Sequence, residues 1–191
     1  MSPTIAIVVI AVVALVAVAA FIFWQNRRSQ SLRQKFGPEY ERTVEKVGDR
    51  RRAETELEKR QKRVESLKLQ VLNAEEQQRF AQRWRSAQAF FVDEPSRAVS
   101  EADTLVIEVM QARGYPMGDF EQRAADISVD HPAVVQNYRA ARDIAAKNKK
   151  GEASTEDLRQ AMVHYRNLFE ELLGEKPVHE DKKELETESV R

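Results

Sequence analysis

Residues 5–24 constrain this chain most, because these twenty consecutive positions contain no charged, amide or hydroxyl side chain. Twenty helical residues span roughly 30 Å, which is the thickness of the hydrocarbon region of a bilayer. Ile, Val, Leu or Phe occupies thirteen of the positions. On an insertion scale these residues together contribute roughly 4 to 8 kcal/mol in favour of the membrane. The run therefore predicts a transmembrane helix that anchors the chain in the lipid bilayer.

A cleaved signal peptide is the alternative interpretation of an apolar N-terminal run. Such a peptide has a basic region before the apolar core and a small-residue cleavage site after it. Here no Lys or Arg precedes the run, and beyond the candidate site Ala17-Val18-Ala19 the chain stays apolar through Trp24. These departures favour an anchor that is not removed.

The basic residues that follow the run predict its direction. They are Arg27, Arg28, Arg33 and Lys35, whereas the other flank offers only the terminal amine. Because positive charge accumulates on the cytoplasmic side, we expect the N-terminus outside and the rest of the chain in the cytoplasm. We assign these four residues to membrane topology rather than to recognition of a particular lipid.

A break and a charged segment follow. Pro38 cannot continue a helix and Gly37 weakens one, so Phe36-Gly37-Pro38 predicts a hinge. Twelve of the seventeen residues from 49 to 65 are charged, with mixed sign. This pattern is typical of a solvated helix supported by ion pairs four residues apart. A thin apolar stripe leaves two readings open, a short coiled-coil contact or an amphipathic stalk that lies on the domain; it comprises Ala53, Leu57, Val64, Leu67 and Val71.

The remaining sequence predicts an all-α fold. Apolar residues recur with helical spacing in at least five segments, and no pair of strands is evident. Asn73 with Glu76 and Ser154 with Asp157 have the spacing of capping boxes, which begin helices. We expect a core that includes Phe80, Trp84, Val106, Tyr138, Leu158 and Leu168. The predicted organisation is an anchor (1–26), a basic juxtamembrane segment with hinge and charged helical stalk (27–73), a small antiparallel helical domain (74–173) and a disordered charged tail (174–191).

Composition excludes several classes of function. The net charge is zero, and residues 74–173 carry thirteen basic and seventeen acidic groups, so no basic face for nucleic acid is predicted. The chain has no Cys, which excludes disulfides, thiolate metal sites and Cys nucleophiles. No phosphate-binding Gly loop, nucleophile elbow or paired-His motif is present. We therefore predict no catalytic residue, no metal and no cofactor.

The few candidate polar residues favour structural roles. His131, His164 and His179 have no ligand-like spacing to one another. Asp126 and Asp130 lie close to His131 in sequence, but Asp beside a helix start is ordinary capping. The aromatic residues Trp84, Tyr115, Tyr138 and Tyr165 stand at core or turn positions and are assigned to packing rather than to ligand stacking.

A series of short motifs marks residues 75–173: Arg83-Trp84, Phe91-Val92-Asp93-Glu94-Pro95, Glu101-Ala102-Asp103, Arg113-Gly114-Tyr115-Pro116, Phe120-Glu121, Ser128-Val129-Asp130-His131-Pro132 and Asn137-Tyr138-Arg139. In these motifs the chain resembles an uncharacterised family of bacterial membrane-anchored proteins with a helical C-terminal region. The resemblance implies a single-pass protein of the bacterial inner membrane. It transfers no functional residue, because the family has no established activity.

Three function classes remain open from the sequence. The first is a non-enzymatic, membrane-tethered module that binds an unidentified protein partner, and the second is an enzyme whose site lacks a recognisable motif. The third follows from topology, because one span and a Phe-Gly-Pro break before a charged helix are similar to the small subunits of the twin-arginine translocase. The chain departs from that family because Phe36 stands twelve residues after Trp24 and the span lacks a polar residue. We favour the interaction module.

Reporter fusions test the predicted topology. Because Arg27, Arg28, Arg33 and Lys35 follow the span, a cytoplasmic reporter at the C-terminus is expected to be active and a periplasm-dependent reporter silent. The opposite pattern of reporter activity would contradict the predicted orientation.

Overall fold

The computed structural model describes the backbone of residues 3–174 and the side chains of residues 12–174. Within this part of the chain the regular elements are all helices, which confirms the all-α fold class. In chain order they are α1 (Pro3–Phe36), α2 (Pro38–Val47), α3 (Arg50–Glu65), α4 (Ala74–Phe90), α5 (Pro95–Ala112), α6 (Phe120–Asp130), α7 (Val135–Lys149) and α8 (Thr155–Leu173).

The predicted membrane span falls within α1. Among the residues described, no helix is long and apolar enough to cross a membrane. The span at residues 5–24 includes residues 5–11, whose side chains lie outside the described part of the chain. The anchor therefore stays a prediction.

Two compact units divide the chain, Met1–Glu58 and Lys59–Arg191. We call them unit 1 and unit 2. The division falls within α3. Of the predicted C-terminal tail, residues 175–191 lie outside the described part of the chain.

In unit 1 the chain breaks at the predicted hinge. Gly37 has a positive φ of 48°, and Pro38 takes the first position of α2. Glycine suits this conformation because it has no Cβ, and proline suits a first turn because no intrahelical bond needs its missing N–H. Phe36 and Tyr40, on either side of the break, are fully buried.

One face of the first two turns of α3 is buried. Ala53, Glu54 and Leu57 are buried within unit 1. Ser29 of α1 and Tyr40 of α2 both donate hydrogen bonds to Glu54, so this part of α3 contacts the two preceding helices. The face of α3 that bears the thin apolar stripe can be buried because Glu54, the polar residue beside the stripe, is satisfied by hydrogen bonds.

In unit 2 both predicted capping boxes are present. Asn73 accepts from the Glu76 backbone N–H, and Glu76 accepts from the Asn73 backbone N–H. Ser154 and Asp157 make the same reciprocal pair at the start of α8. These bonds satisfy backbone donors that a helix start otherwise leaves unpaired.

Pro132 lies in the link between α6 and α7. α6 ends at Asp130, and α7 begins at Val135. A residue that precedes proline is disfavoured in helical geometry, and His131 accordingly leaves it with φ −127° and ψ 56°. The Val134 N–H then bonds the His131 carbonyl in a turn before α7.

The core of unit 2 is organised by α8, which packs against α7 and α5, while α4 packs against α5. The six predicted core residues are all buried, and the Trp84 ring stacks on Phe169 with centroids 4.8 Å apart. A non-helical connector precedes α4. Gly114 lies against it, since a Cβ at this position would stand 2.9 Å from the Lys68 carbonyl oxygen.

Truncation of Trp84 tests this core. Trp84→Ala is expected to lower the free energy of unfolding by about 3–5 kcal/mol, because it removes a buried ring that stacks on Phe169. The measurement is chemical denaturation of the full-length protein in mild detergent, followed by circular dichroism. Val92→Ala is the control, since Val92 is 85% exposed. Equal stability of the two variants would contradict the assigned core.

Candidate functional site

An apolar groove lies between the end of α4 and α8 in unit 2, with a volume of about 180 Å³. Phe91 follows α4 directly, and Met162 and Val163 occupy one face of α8. Arg159 and Arg166 stand on the same face, because positions three, four and seven apart align on a helix. The groove is lined by Gln88, Phe91, Arg159, Met162, Val163 and Arg166.

The two arginines of the groove have only exposed partners. Arg159 donates two hydrogen bonds to Glu156, at 2.8 and 2.7 Å, and Arg166 approaches Glu170 at 3.8 Å. Exposed ion pairs contribute little to stability, since water screens them and both side chains lose freedom. Another carboxylate can therefore replace either acidic partner at little cost.

The turn that carries Phe91 also exposes its neighbours. Val92 is largely solvent-exposed, and the Arg97 guanidinium lies 4.9 Å from the centre of the half-exposed Phe90 ring. Consecutive apolar residues at a surface turn beside an apolar groove are typical of a contact surface. The lining of the groove itself contains no carboxylate, hydroxyl or imidazole, so its chemistry suits binding rather than proton transfer.

A buried carboxylate forms the centre of a polar pocket in unit 1. Glu54 of α3 is only 2% exposed. It accepts hydrogen bonds from the Ser29 hydroxyl at 2.5 Å, the Tyr40 hydroxyl at 2.8 Å and Arg50 Nε at 3.1 Å. The pocket has a volume of about 520 Å³ and is lined by Gln25, Asn26, Ser29, Asp49, Arg50, Arg51 and Glu54.

Opposing effects determine the pKa of Glu54. Burial is the largest single effect and raises the pKa, because it disfavours the charged carboxylate. The hydrogen bonds from Ser29, Tyr40 and Arg50 favour the charged form, and together they outweigh burial. The pKa is therefore lowered, and Glu54 carries a negative charge at neutral pH.

The four predicted topology residues lie on α1, and two of them make ion pairs within unit 1. Arg28 forms two hydrogen bonds with Glu58, one of them 2.6 Å long, and Arg33 lies 3.5 Å from Glu41. Arg27 stands 5.9 Å from the centre of the Phe23 ring, whereas Lys35 is half-buried near the end of the helix. Their role in topology stays a prediction.

The acidic cluster near His131 does not converge in space. Asp126 is buried and accepts bonds from Arg63, Asp130 lies 3.5 Å from the Tyr115 hydroxyl, and His131 Nδ1 contacts Glu171 at 2.8 Å. Within the described residues no group of three or more His, Cys, Asp or Glu side chains is arranged to hold a metal ion. These side chains instead join different helices and links of unit 2.

The other two histidines differ in what the structure describes of them. His164 Nδ1 contacts the Asn137 side-chain oxygen at 2.9 Å, which links α8 to α7. His179 lies outside the described residues.

The aromatic residues assigned to packing are buried, and one of them is held by a carboxylate for which the sequence predicted no role. The Tyr165 hydroxyl donates to Asp103 at 2.9 Å, and Asp103 also accepts from Arg142 at 3.0 Å. Burial and the neighbouring Asp103 charge raise the pKa of Tyr165. The hydroxyl therefore stays protonated and acts as a hydrogen-bond donor within the core.

Neither the apolar groove nor the polar pocket was predicted from the sequence. Their residues come from helices far apart in the chain, so no local spacing marks them. The only local signal is that Glu54 follows Arg50 by four residues and stands beside the apolar stripe at Ala53.

No protein-family model matches this chain, and no curated protein or solved structure matches it significantly. The resemblance to bacterial membrane-anchored proteins stays a prediction. A functional assignment therefore depends on the apolar groove, the polar pocket and the pattern of the N-terminal run.

The Glu54 centre predicts a specific pH dependence of stability. Because the pKa of Glu54 is lowered on folding, its charge stabilises the folded state at any pH above the ordinary pKa of 4.5. This stabilisation is lost as the pH falls through the folded-state pKa. We expect Glu54→Gln to be less stable than the wild type by about 1–3 kcal/mol at neutral pH, because Gln leaves donors unpaired.

Denaturation of both proteins from neutral pH to below 4.5 measures this difference. The difference should shrink at the acid end. Glu45→Gln, which removes an exposed carboxylate on α2, serves as the control and should show little change at any pH. A constant difference between wild type and Glu54→Gln across the range would contradict the assigned charge.

Proposed function

We propose that this chain is a membrane-tethered protein-interaction module of the bacterial inner membrane, which binds a segment of a partner protein in the apolar groove. The observation that carries the proposal is the groove itself, an apolar floor on α8 between two exposed arginines whose partners are also exposed. The N-terminal run supplies the tether, with the N-terminus outside and unit 2 in the cytoplasm.

The exposure of apolar side chains along α1 supports the tether. Nine large apolar residues between positions 12 and 24 are each more than half exposed. In water such a surface is costly, whereas lipid covers it favourably. The nine residues are Val12, Val13, Leu15, Val16, Val18, Phe21, Ile22, Phe23 and Trp24.

The composition of the groove defines the chemistry of the partner segment. Phe91, Met162 and Val163 accept an apolar side chain, and Arg159 and Arg166 accept carboxylates. Guanidinium groups bind carboxylates with two parallel hydrogen bonds, which adds specificity. The partner segment is therefore amphipathic, with acidic residues on either side of an apolar anchor.

Tethering explains why a small groove is sufficient. Confinement to the membrane raises the effective concentration of unit 2 toward partners in the same membrane, so that a modest intrinsic affinity gives stable association. The anchor contributes to function in this scheme without contacting the partner.

Site-specific photocrosslinking in membranes tests the proposal. A photoreactive residue at Gln88, in the groove, is expected to capture one protein, whereas the same probe at exposed Ser100 on α5 is not. Val163→Glu should reduce capture about tenfold or more, because it places a charge on the apolar floor. The captured peptide should contain acidic residues around an apolar residue.

A matched variant controls for charge. Gln160→Glu makes the same charge change at an exposed position of α8 that does not line the groove, and capture should persist. Removal of residues 1–26 should leave unit 2 folded and reduce capture. Equal capture from Gln88 and Ser100, or capture that Val163→Glu does not change, would contradict the proposed surface.

A further inference from the structure

The polar pocket of unit 1 combines both signs of charge. Arg50 and Arg51 supply two guanidinium groups, and Asp49 and Glu54 supply two carboxylates. The four formal charges cancel. A simple anion is attracted by the arginines and repelled by the carboxylates, whereas a ligand that carries both charges satisfies all of them.

Glu54 acts within the pocket by positioning Arg50. Its carboxylate is engaged by Ser29, Tyr40 and Arg50 Nε. Arg50 uses Nε for this contact and for the contact with the Tyr40 hydroxyl. The N–H groups of its two terminal nitrogens therefore remain available to a ligand. The guanidinium is thus held by one edge with its other edge available for an acceptor.

The other lining groups also keep hydrogen-bonding capacity. Among the described residues, the side chains of Gln25, Asn26 and Arg51 make no hydrogen bond or ion pair with another part of the chain. Asp49 Oδ1 accepts the Arg52 backbone N–H at 2.8 Å, and Oδ2 has no described donor. The pocket therefore offers guanidinium and amide donors beside a carboxylate oxygen that lacks one.

These groups match a phosphate joined to a primary ammonium. Planar guanidinium groups bind phosphate oxygens with paired hydrogen bonds, as Arg50 and Arg51 can. An ammonium group has three donors, which suit the Asp49 carboxylate and the amide oxygens of Gln25 and Asn26. A quaternary ammonium has no donor and leaves these oxygens unsatisfied.

The place of the pocket in the sequence indicates the source of such a ligand. Gln25 and Asn26 directly follow the apolar run, so in a tethered chain they lie where the hydrocarbon region meets the headgroups. We propose that the polar pocket binds a phosphoethanolamine group, presented by a phosphatidylethanolamine headgroup in the membrane. The lipid source rests on the tether proposed above, whereas recognition of the group rests on the pocket alone.

Retention of lipid by the full-length protein tests the membrane source. The protein is reconstituted in vesicles of phosphatidylethanolamine, phosphatidylcholine and phosphatidylglycerol in equal amounts, extracted in mild detergent and analysed for bound lipid by mass spectrometry. Phosphatidylethanolamine is expected to be enriched several-fold over the other two. Arg51→Gln and Asp49→Asn should each abolish most of this enrichment, because each removes a charged hydrogen-bonding partner.

The variants are chosen to preserve the fold. Asn at position 49 still offers a side-chain oxygen to the start of α3, so the helix start is retained. Arg52→Gln is the matched control, since Arg52 is an adjacent exposed arginine of α3 that does not line the pocket. Enrichment that falls equally in Arg51→Gln and Arg52→Gln would overturn the proposal.

Titration with soluble probes tests ligand binding by the polar pocket independently of the membrane tether. Phosphoethanolamine should bind the detergent-solubilised protein more tightly than phosphocholine or inorganic phosphate does, with the same dependence on Arg51 and Asp49. Equal binding of inorganic phosphate, or enrichment of phosphatidylglycerol, would identify a simple anion site and overturn the proposal.

Flotation of the full-length protein with vesicles tests membrane association independently of ligand binding. Phosphoethanolamine binding without flotation would support the pocket, overturn the tether and identify a soluble source. Flotation without any headgroup preference or phosphoethanolamine binding would support the tether and overturn the pocket.

Discussion

A carboxylate removed from water must be paired, and this constraint governs both units of the chain. In unit 1, Glu54 accepts hydrogen bonds from α1, α2 and α3. In unit 2, Asp103 accepts hydrogen bonds from α7 and α8. Asp126, also in unit 2, accepts hydrogen bonds from α3 and α6. Leaving one of them unpaired would cost more than a typical hydrogen bond contributes, since a buried charge is strongly destabilising. The helices are therefore held in arrangements that bring the donors together.

The pairing of charged groups also distinguishes the polar pocket from the apolar groove. In the polar pocket, Glu54 Oε1 accepts three hydrogen bonds, and the other groups on the pocket walls keep hydrogen-bonding capacity for a ligand of mixed charge. In the apolar groove, the floor offers dispersion contacts and the arginines at its edges have only exposed partners that water screens. The pocket thus suits a small polar group, and the groove suits an amphipathic segment of a protein.

The predicted features that the structure confirms are local. The capping boxes at Asn73 and Ser154 depend on residues three positions apart, and the break at Gly37-Pro38 depends on backbone chemistry at two positions. The core of unit 2 follows from apolar spacing along single helices. In contrast, the charged composition of residues 49–65 predicted a solvated stalk, and one face of the first turns of α3 is buried. Composition alone does not show that a neighbouring helix supplies donors to a charged residue.

The sequence by itself determined which segments are helical, where most helices begin and which faces are apolar, because these properties depend on residues within a few positions of one another. It also determined the apolar run at residues 5–24 and its basic flank. Only the tertiary structure decided that Ser29 and Tyr40 meet Glu54 across separations of 25 and 14 residues, or that α4 ends beside Met162. Such contacts depend on the packing angle and rotation of each helix, which follow from the interlocking of whole side-chain surfaces rather than from any local pattern.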